Sequence, residues 1–178
     1  MRLKIRNVIF GLIIIIPLFA SGCGSSPEDI VKSGVLEIDP SVKIGDVMDG
    51  YQYFGDKEWS SFVDSNNRPI VEFKGTIDFY KFRGSELEGI RITPDMVYKA
   101  ASKLQEVSVT YVARFFIFKE GKAFSLKYSG LNMTGSKKST GKKMVQNIPD
   151  KDYSILQHIY ANKPEPFTWD MLMSAASG

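Results

Sequence analysis

One cysteine and one histidine in 178 residues exclude much of the chemistry a chain of this size can carry. A lone Cys23 cannot form an intramolecular disulfide. With His158 as the sole imidazole, the usual Cys and His ligands of a zinc site are also missing. No Ser-His-Asp or Cys-His set stands out, so the residues argue for no enzyme and no cofactor. Long apolar runs are scarce as well. The longest, Val8–Phe19, is about 12 residues and contains Gly11 and Pro17, whereas a membrane-spanning helix needs about 20. Excess charge is missing too. Of 23 basic side chains, Arg2, Lys4 and Arg6 precede the first acid, Glu28; beyond residue 22 the chain carries 20 of each sign. The apparent basicity therefore resides at the N-terminus and gives no reason to expect a nucleic-acid partner.

What is present at that end forms a pattern. A basic start, a short apolar stretch and small residues are the three parts of a secretory signal. Pro17 breaks helix just before the point where a peptidase needs extended chain. The last residues, Ala20, Ser21, Gly22 and Cys23, resemble the lipobox of bacterial lipoproteins, with Ala20 where Leu is commoner. The resemblance implies cleavage after Gly22 and lipidation of Cys23 by acyl chains such as palmitate. A single acyl chain binds a bilayer only marginally, and two or more make attachment lasting. Gly24 follows the cysteine in place of the Asp that retains Gram-negative lipoproteins at the inner membrane. In a Gram-negative cell this implies the outer membrane, with the domain in the periplasm. Two other readings compete: an ordinary buried thiol behind a plain signal peptide, and an uncleaved anchor helix.

The chain thus divides into a signal peptide (1–22), a lipidated tether (23–29) and a single domain (30–178). A domain of about 150 residues buries roughly 70% of its unfolded surface, enough for a core without disulfides. A helix is expected from Ser41 to Phe54, with Ile44, Val47, Met48 and Tyr51 on one face. Strands follow near Trp59–Val63 and from Val71 to Phe79, where Val71, Phe73, Ile77 and Phe79 alternate with polar residues. Gly75 sits in the apolar phase, as at a bulge or under a closely approaching helix. Thr93, Pro94 and Asp95 form a helix start. A strand from Val107 and its partner through Phe124, Leu126 and Tyr128 come next. Helix, strand, strand thus occurs twice, either as an internal repeat or as two hairpins each preceded by a helix. Helices from Asp150 to Asn162 and after Thr168 close the chain. The expectation is α+β: one antiparallel sheet from two helix-strand-strand units, helices on one face, and C-terminal helices in addition.

This layout resembles β-lactamase-inhibitor-like domains and the small accessory lipoproteins of outer-membrane barrel assembly. The run from Val35 through Gly45, Trp59, Phe62 and Arg68 to Val71, Glu72 and Gly75 is similar to uncharacterised bacterial envelope lipoproteins. None of these resemblances brings a catalytic residue to this chain, and fold similarity does not imply function.

Three surface features remain. Between Gly135 and Gly141 stand five residues where a phosphate loop has four, and Lys142 is followed by Lys143 instead of Ser or Thr, so that motif fails. Lys137, Lys138, Lys142 and Lys143 are instead candidates for contact with anionic headgroups, or simply a solvated loop after the last strand. Glu86 and Glu88 read as solvated loop carboxylates. Tyr80, Phe82, Phe116 and Phe118 fall on strand positions that ought to be polar. They form an exposed aromatic patch for a partner if helices cover one face only, and a second core if the C-terminal helices cover that face. The expected function is a membrane-anchored, non-catalytic binding or scaffolding module for another envelope protein. The alternative is a carrier or sensor of a small hydrophobic ligand held between sheet and helices.

Overall fold

A computed structural model describes residues 25–118, 123–137 and 142–177. Its centre is a five-stranded antiparallel sheet of β1 (Phe54–Val63), β2 (Pro69–Ile77), β5 (Ser108–Phe118), β6 (Ala123–Lys137) and β7 (Lys142–Pro149), in that spatial order. The chain leaves the sheet once, between β2 and β5. There it forms a 3₁₀ turn (Phe79–Phe82), a small ribbon of β3 (Glu86–Leu87) with β4 (Ile90–Arg91), and helix α3 (Pro94–Lys103). Helices α1 (Pro27–Ser33) and α2 (Ile44–Gly50) precede the sheet, and α4 (Ser154–Tyr160) and α5 (Pro166–Ser177) follow it. The α+β class and the order of helix and hairpin units are those expected.

Four of the five described helices begin where a side chain accepts free N–H groups of the first turn; α2, preceded by Lys43, is the exception. Ser26 and Asp29 form a reciprocal capping box at α1, with Pro27 in its first turn. At α3, Thr93 accepts from the Met96 N–H at 3.3 Å. Helix α4 is capped from a distance. The buried Asp150 carboxylate accepts from the N–H groups of Ile155 (3.1 Å) and Leu156 (2.9 Å), and also from the Ser129 hydroxyl (3.1 Å). Ser129 in turn meets the Tyr111 hydroxyl at 2.9 Å. This chain of polar groups ties α4 to β5 and β6 through an otherwise apolar layer, and each member satisfies the next.

One face of the sheet carries the core. Phe54, Val71, Phe73, Val109, Tyr111, Phe115 and Leu131 are fully buried there against Val31, Ile44, Met48, Val97, Leu156 and Leu172 of the helices. Gly75 marks neither a bulge of its own strand nor a helix contact. The Phe54 ring lies where its Cβ would be, at 2.7 Å, and the bulge falls in the facing strand between Phe54 and Lys57.

Three expectations are corrected. Residues 27–29, read as tether, form helix α1 together with residues 30–33 of the domain. The lysine-rich segment does not follow the last strand: Lys137 and Lys142 are register partners in β6 and β7, and Lys142–Pro149 forms a fifth strand. Strand β2 ends at Ile77, so residues 79–82 curl into the 3₁₀ turn instead of alternating. Asp78 fixes that turn by accepting from the Tyr80 N–H at 3.0 Å.

Candidate binding face on the second side of the sheet

The helices gather on the core side, and the opposite side of β1, β2, β5 and β6 presents side chains of a different kind. Register places Phe62, Ile70, Phe116 and Ser125 in one row across the four strands, and Ser60, Glu72, Arg114 and Tyr128 in the next. A bulge in β6 adds to this. Arg114 faces Tyr128 but its neighbour Phe115 faces Leu126, leaving Lys127 as the extra residue. The Lys127 ammonium consequently reaches the same face as Tyr128 and lies 6.0 Å from the Phe116 ring.

Phe62 is 42% exposed, while Ile70 beside it is nearly buried. Phe116 stacks on Phe118 with ring centroids 6.0 Å apart. From the β1–β2 turn, the Arg68 guanidinium stands 5.7 Å from the Phe116 ring, a distance at which a cation is attracted by the ring face. Arg114 lies similarly over Tyr128, at 5.6 Å. Both arginines are held from behind. Arg68 Nη2 meets Asp64 at 2.6 Å, and Arg114 Nε meets the buried Glu72 carboxylate at 2.6 Å, which Lys74 also approaches at 2.8 Å.

The carboxylates are fixed in their charged form. Burial pushes the Glu72 carboxyl up, but hydrogen bonds and charge from Lys74 and Arg114 outweigh it and hold it below its ordinary value. The Arg68 hydrogen bonds do the same for Asp64. Neither acid is poised for proton transfer near neutral pH. The arrangement offers charge, aromatic surface and shape for recognition. Phe62, Arg68, Ile70, Arg114, Phe116 and Lys127 line a depression of about 530 Å³.

Of the four aromatic residues expected to form a patch, the structure brings together only Phe116 and Phe118. Phe82 is fully buried in the core, 4.6 Å from the Tyr53 ring. Tyr80 is 49% exposed but stands beside Tyr98 of α3, away from this face. Both depart because a 3₁₀ turn repeats about every three residues, so the period of two that assigned them a strand face does not apply. Among the candidate lysines, Lys143 is exposed on β7 next to exposed Met144 and Val145. Lys138, and the side chains of Lys137 and Lys142, lie outside the described residues, as do Ala20, Ser21, Gly22 and Cys23. Sequence reading missed Phe62, Arg68, Ile70, Arg114, Lys127 and Tyr128. Arg114 shares the phase of Phe116 and was legible as its neighbour; Lys127 was not, because the bulge breaks the alternation.

Two further features bear on chemistry. His158 donates from Nδ1 to the Ser154 carbonyl at 2.8 Å, since a carbonyl can only accept. A second depression, about 900 Å³, lies between Val35–Ile38, the start of β6 and α4, with Leu36, Ile38, Phe124, Leu126 and Leu156 in its walls. It borders Ala123–Leu126, within the part of β6 that precedes its pairing with β7.

Comparison with known proteins finds no family model, no curated protein and no solved structure that matches this chain.

Proposed function

We propose that the protein is a membrane-anchored bacterial envelope lipoprotein whose domain acts as a non-catalytic binding or scaffolding module, with the second face of the sheet as its partner surface. One observation carries the reading: Phe62 and Phe116 of this face lie among Arg68, Arg114 and Lys127, opposite the helices. Apolar side chains ringed by charge are the usual anatomy of a protein interface. Membrane attachment rests on the N-terminal sequence pattern alone.

The test is photo-crosslinking in cells from positions 62, 116 and 118, with identification of the captured species. One dominant envelope protein, captured from these sites but not from Tyr98 on α3, supports the module. Equal capture from Tyr98 would refute it. Anchoring is tested separately: Cys23→Ala should abolish acyl labelling and release the domain from the membrane, and a variant that stays membrane-bound would refute lipidation.

The carrier reading has an observation of its own in the cleft bordered by Leu36, Phe124 and Leu156. It predicts that lipid or a small apolar molecule co-purifies with the protein and is displaced by Leu156→Trp. Solvent extraction and mass spectrometry decide it.

A further inference from the structure

We infer that the segment received by this face is acidic: a stretch of partner polypeptide that sets an Asp or Glu carboxylate beside an aromatic or large apolar side chain. This rests on the open-face reading above and gives it a chemistry. Lys74 stands opposite Glu58 in the strand register, and the three cations that line the depression, Arg68, Arg114 and Lys127, stand against two carboxylates, Asp64 and Glu72, leaving one positive charge in excess. The two acids are also already committed. Glu72 accepts from both Arg114 and Lys74, and Asp64 holds Arg68 through Nε and Nη2. They orient the guanidinium groups and leave further N–H donors, since each guanidinium has five.

Of the four cations on this face, Lys127 has no ion pair among the described residues and lies over the Phe116 ring. The bulge that turns it to this face gives the depression a positive charge on the β6 side, facing Arg68 across Phe116. A carboxylate entering between them would meet charge from both sides, and an aromatic neighbour would lie on Phe116 and Phe62. The volume, about 530 Å³, suits one or two side chains. An anionic bilayer is a poorer fit. It would meet Asp64 and Glu72 together with the cations, and a flat surface gains nothing from a recessed Ile70.

The experiment uses the mature, lipidated protein in neutral detergent micelles, observed by NMR. The probes are the acetylated, amidated tripeptides Glu-Phe-Glu and Lys-Phe-Lys. Vesicles of phosphatidylcholine with and without phosphatidylglycerol serve as a third probe. The acidic peptide should shift the amides of residues 62, 70, 116 and 127 saturably, and the basic peptide should not. Lys127→Glu should weaken that binding about tenfold, and Lys127→Arg should retain it. Lys127 is exposed and on an edge of the depression, so its reversal leaves the fold intact; an unchanged spectrum elsewhere checks this. Equal response to both peptides, or response to phosphatidylglycerol vesicles alone, would overturn the inference. The cellular crosslink separates this failure from failure of the open-face reading. Capture from Phe116 that survives Lys127→Glu overturns the acidic chemistry and leaves the face standing. Absence of any capture from the wild-type face overturns both.

Discussion

Glu165→Gln is expected to stabilise the domain by an amount that depends on pH. Glu165 precedes α5 and is fully buried. Its Oε1 accepts from the Thr168 N–H at 2.7 Å, and its Oε2 has no hydrogen-bond partner among the described residues. Burial pushes the carboxyl up to about 7 from an ordinary 4.5, against the Thr168 and Phe167 N–H groups, with Asp170 and Asp150 adding repulsion. Between those two values the folded chain keeps a proton that the unfolded chain has lost. Stability therefore falls with rising pH across this window, by about 1.4 kcal/mol per unit and roughly 3 kcal/mol in all. Above it the folded state bears the full cost of the buried charge; below it the group contributes nothing. Gln keeps the oxygen that caps α5 and removes the charge, at a pH-independent cost of about 1 kcal/mol if its amide finds no acceptor. Urea denaturation of both proteins at pH 5, 6, 7 and 8 measures the difference. The variant should gain on the wild type steadily from pH 5 to pH 7 and hold its advantage at pH 8. Parallel curves across that range would refute the reasoning, because they would mean that Glu165 is ionised in the fold at pH 5 or neutral at pH 8.

Glu72→Gln should behave with the opposite sign. A carboxyl held below its ordinary value stabilises the fold above that value and loses the contribution as pH falls; the variant should be less stable at pH 7, by about 1 kcal/mol, and the gap should close in acid. Gly75→Ala forces the buried Phe54 ring to move from 2.7 Å, at a cost of about 1–3 kcal/mol in the denaturation midpoint. Asp150→Ala removes the acceptor for the Ile155 and Leu156 N–H groups; it should cost about 2 kcal/mol and speed hydrogen exchange at those two amides before the sheet. If the basic hairpin meets headgroups, Lys143→Glu should reduce co-sedimentation with phosphatidylglycerol vesicles, and unchanged binding would count against that contact.

Much of the fold was legible because it is written at short range. The alternation of Val71, Phe73 and Ile77, and of Val109, Tyr111, Ala113 and Phe115, requires only that a strand repeat every two residues. Thr93 before Pro94 marks a helix start whatever surrounds it. Where local cues were mixed, reading failed. Strand β7 hides behind lysines and a pattern in which Met144 and Val145 are both exposed, as an edge strand beyond the core permits. Helix α1 has a full capping box but a single buried residue, Val31, too few for a visible stripe.

The binding face divides the same way. The sequence by itself determined that Phe116 and Phe118 share a side of β5, that one cysteine and one histidine restrict the available metal and disulfide chemistry, and that the excess of basic side chains lies before residue 22 while the rest of the chain is balanced in charge. Only the tertiary structure decided that Phe62 and Ile70 complete a row with Phe116, that the bulge delivers Lys127, and that Phe82 goes to the core. It also decided that Glu165 is buried with an unpaired oxygen. The reason is one of range. Periodicity and capping act between residues a few positions apart, whereas register, bulges and burial depend on which distant strand or helix comes to lie alongside.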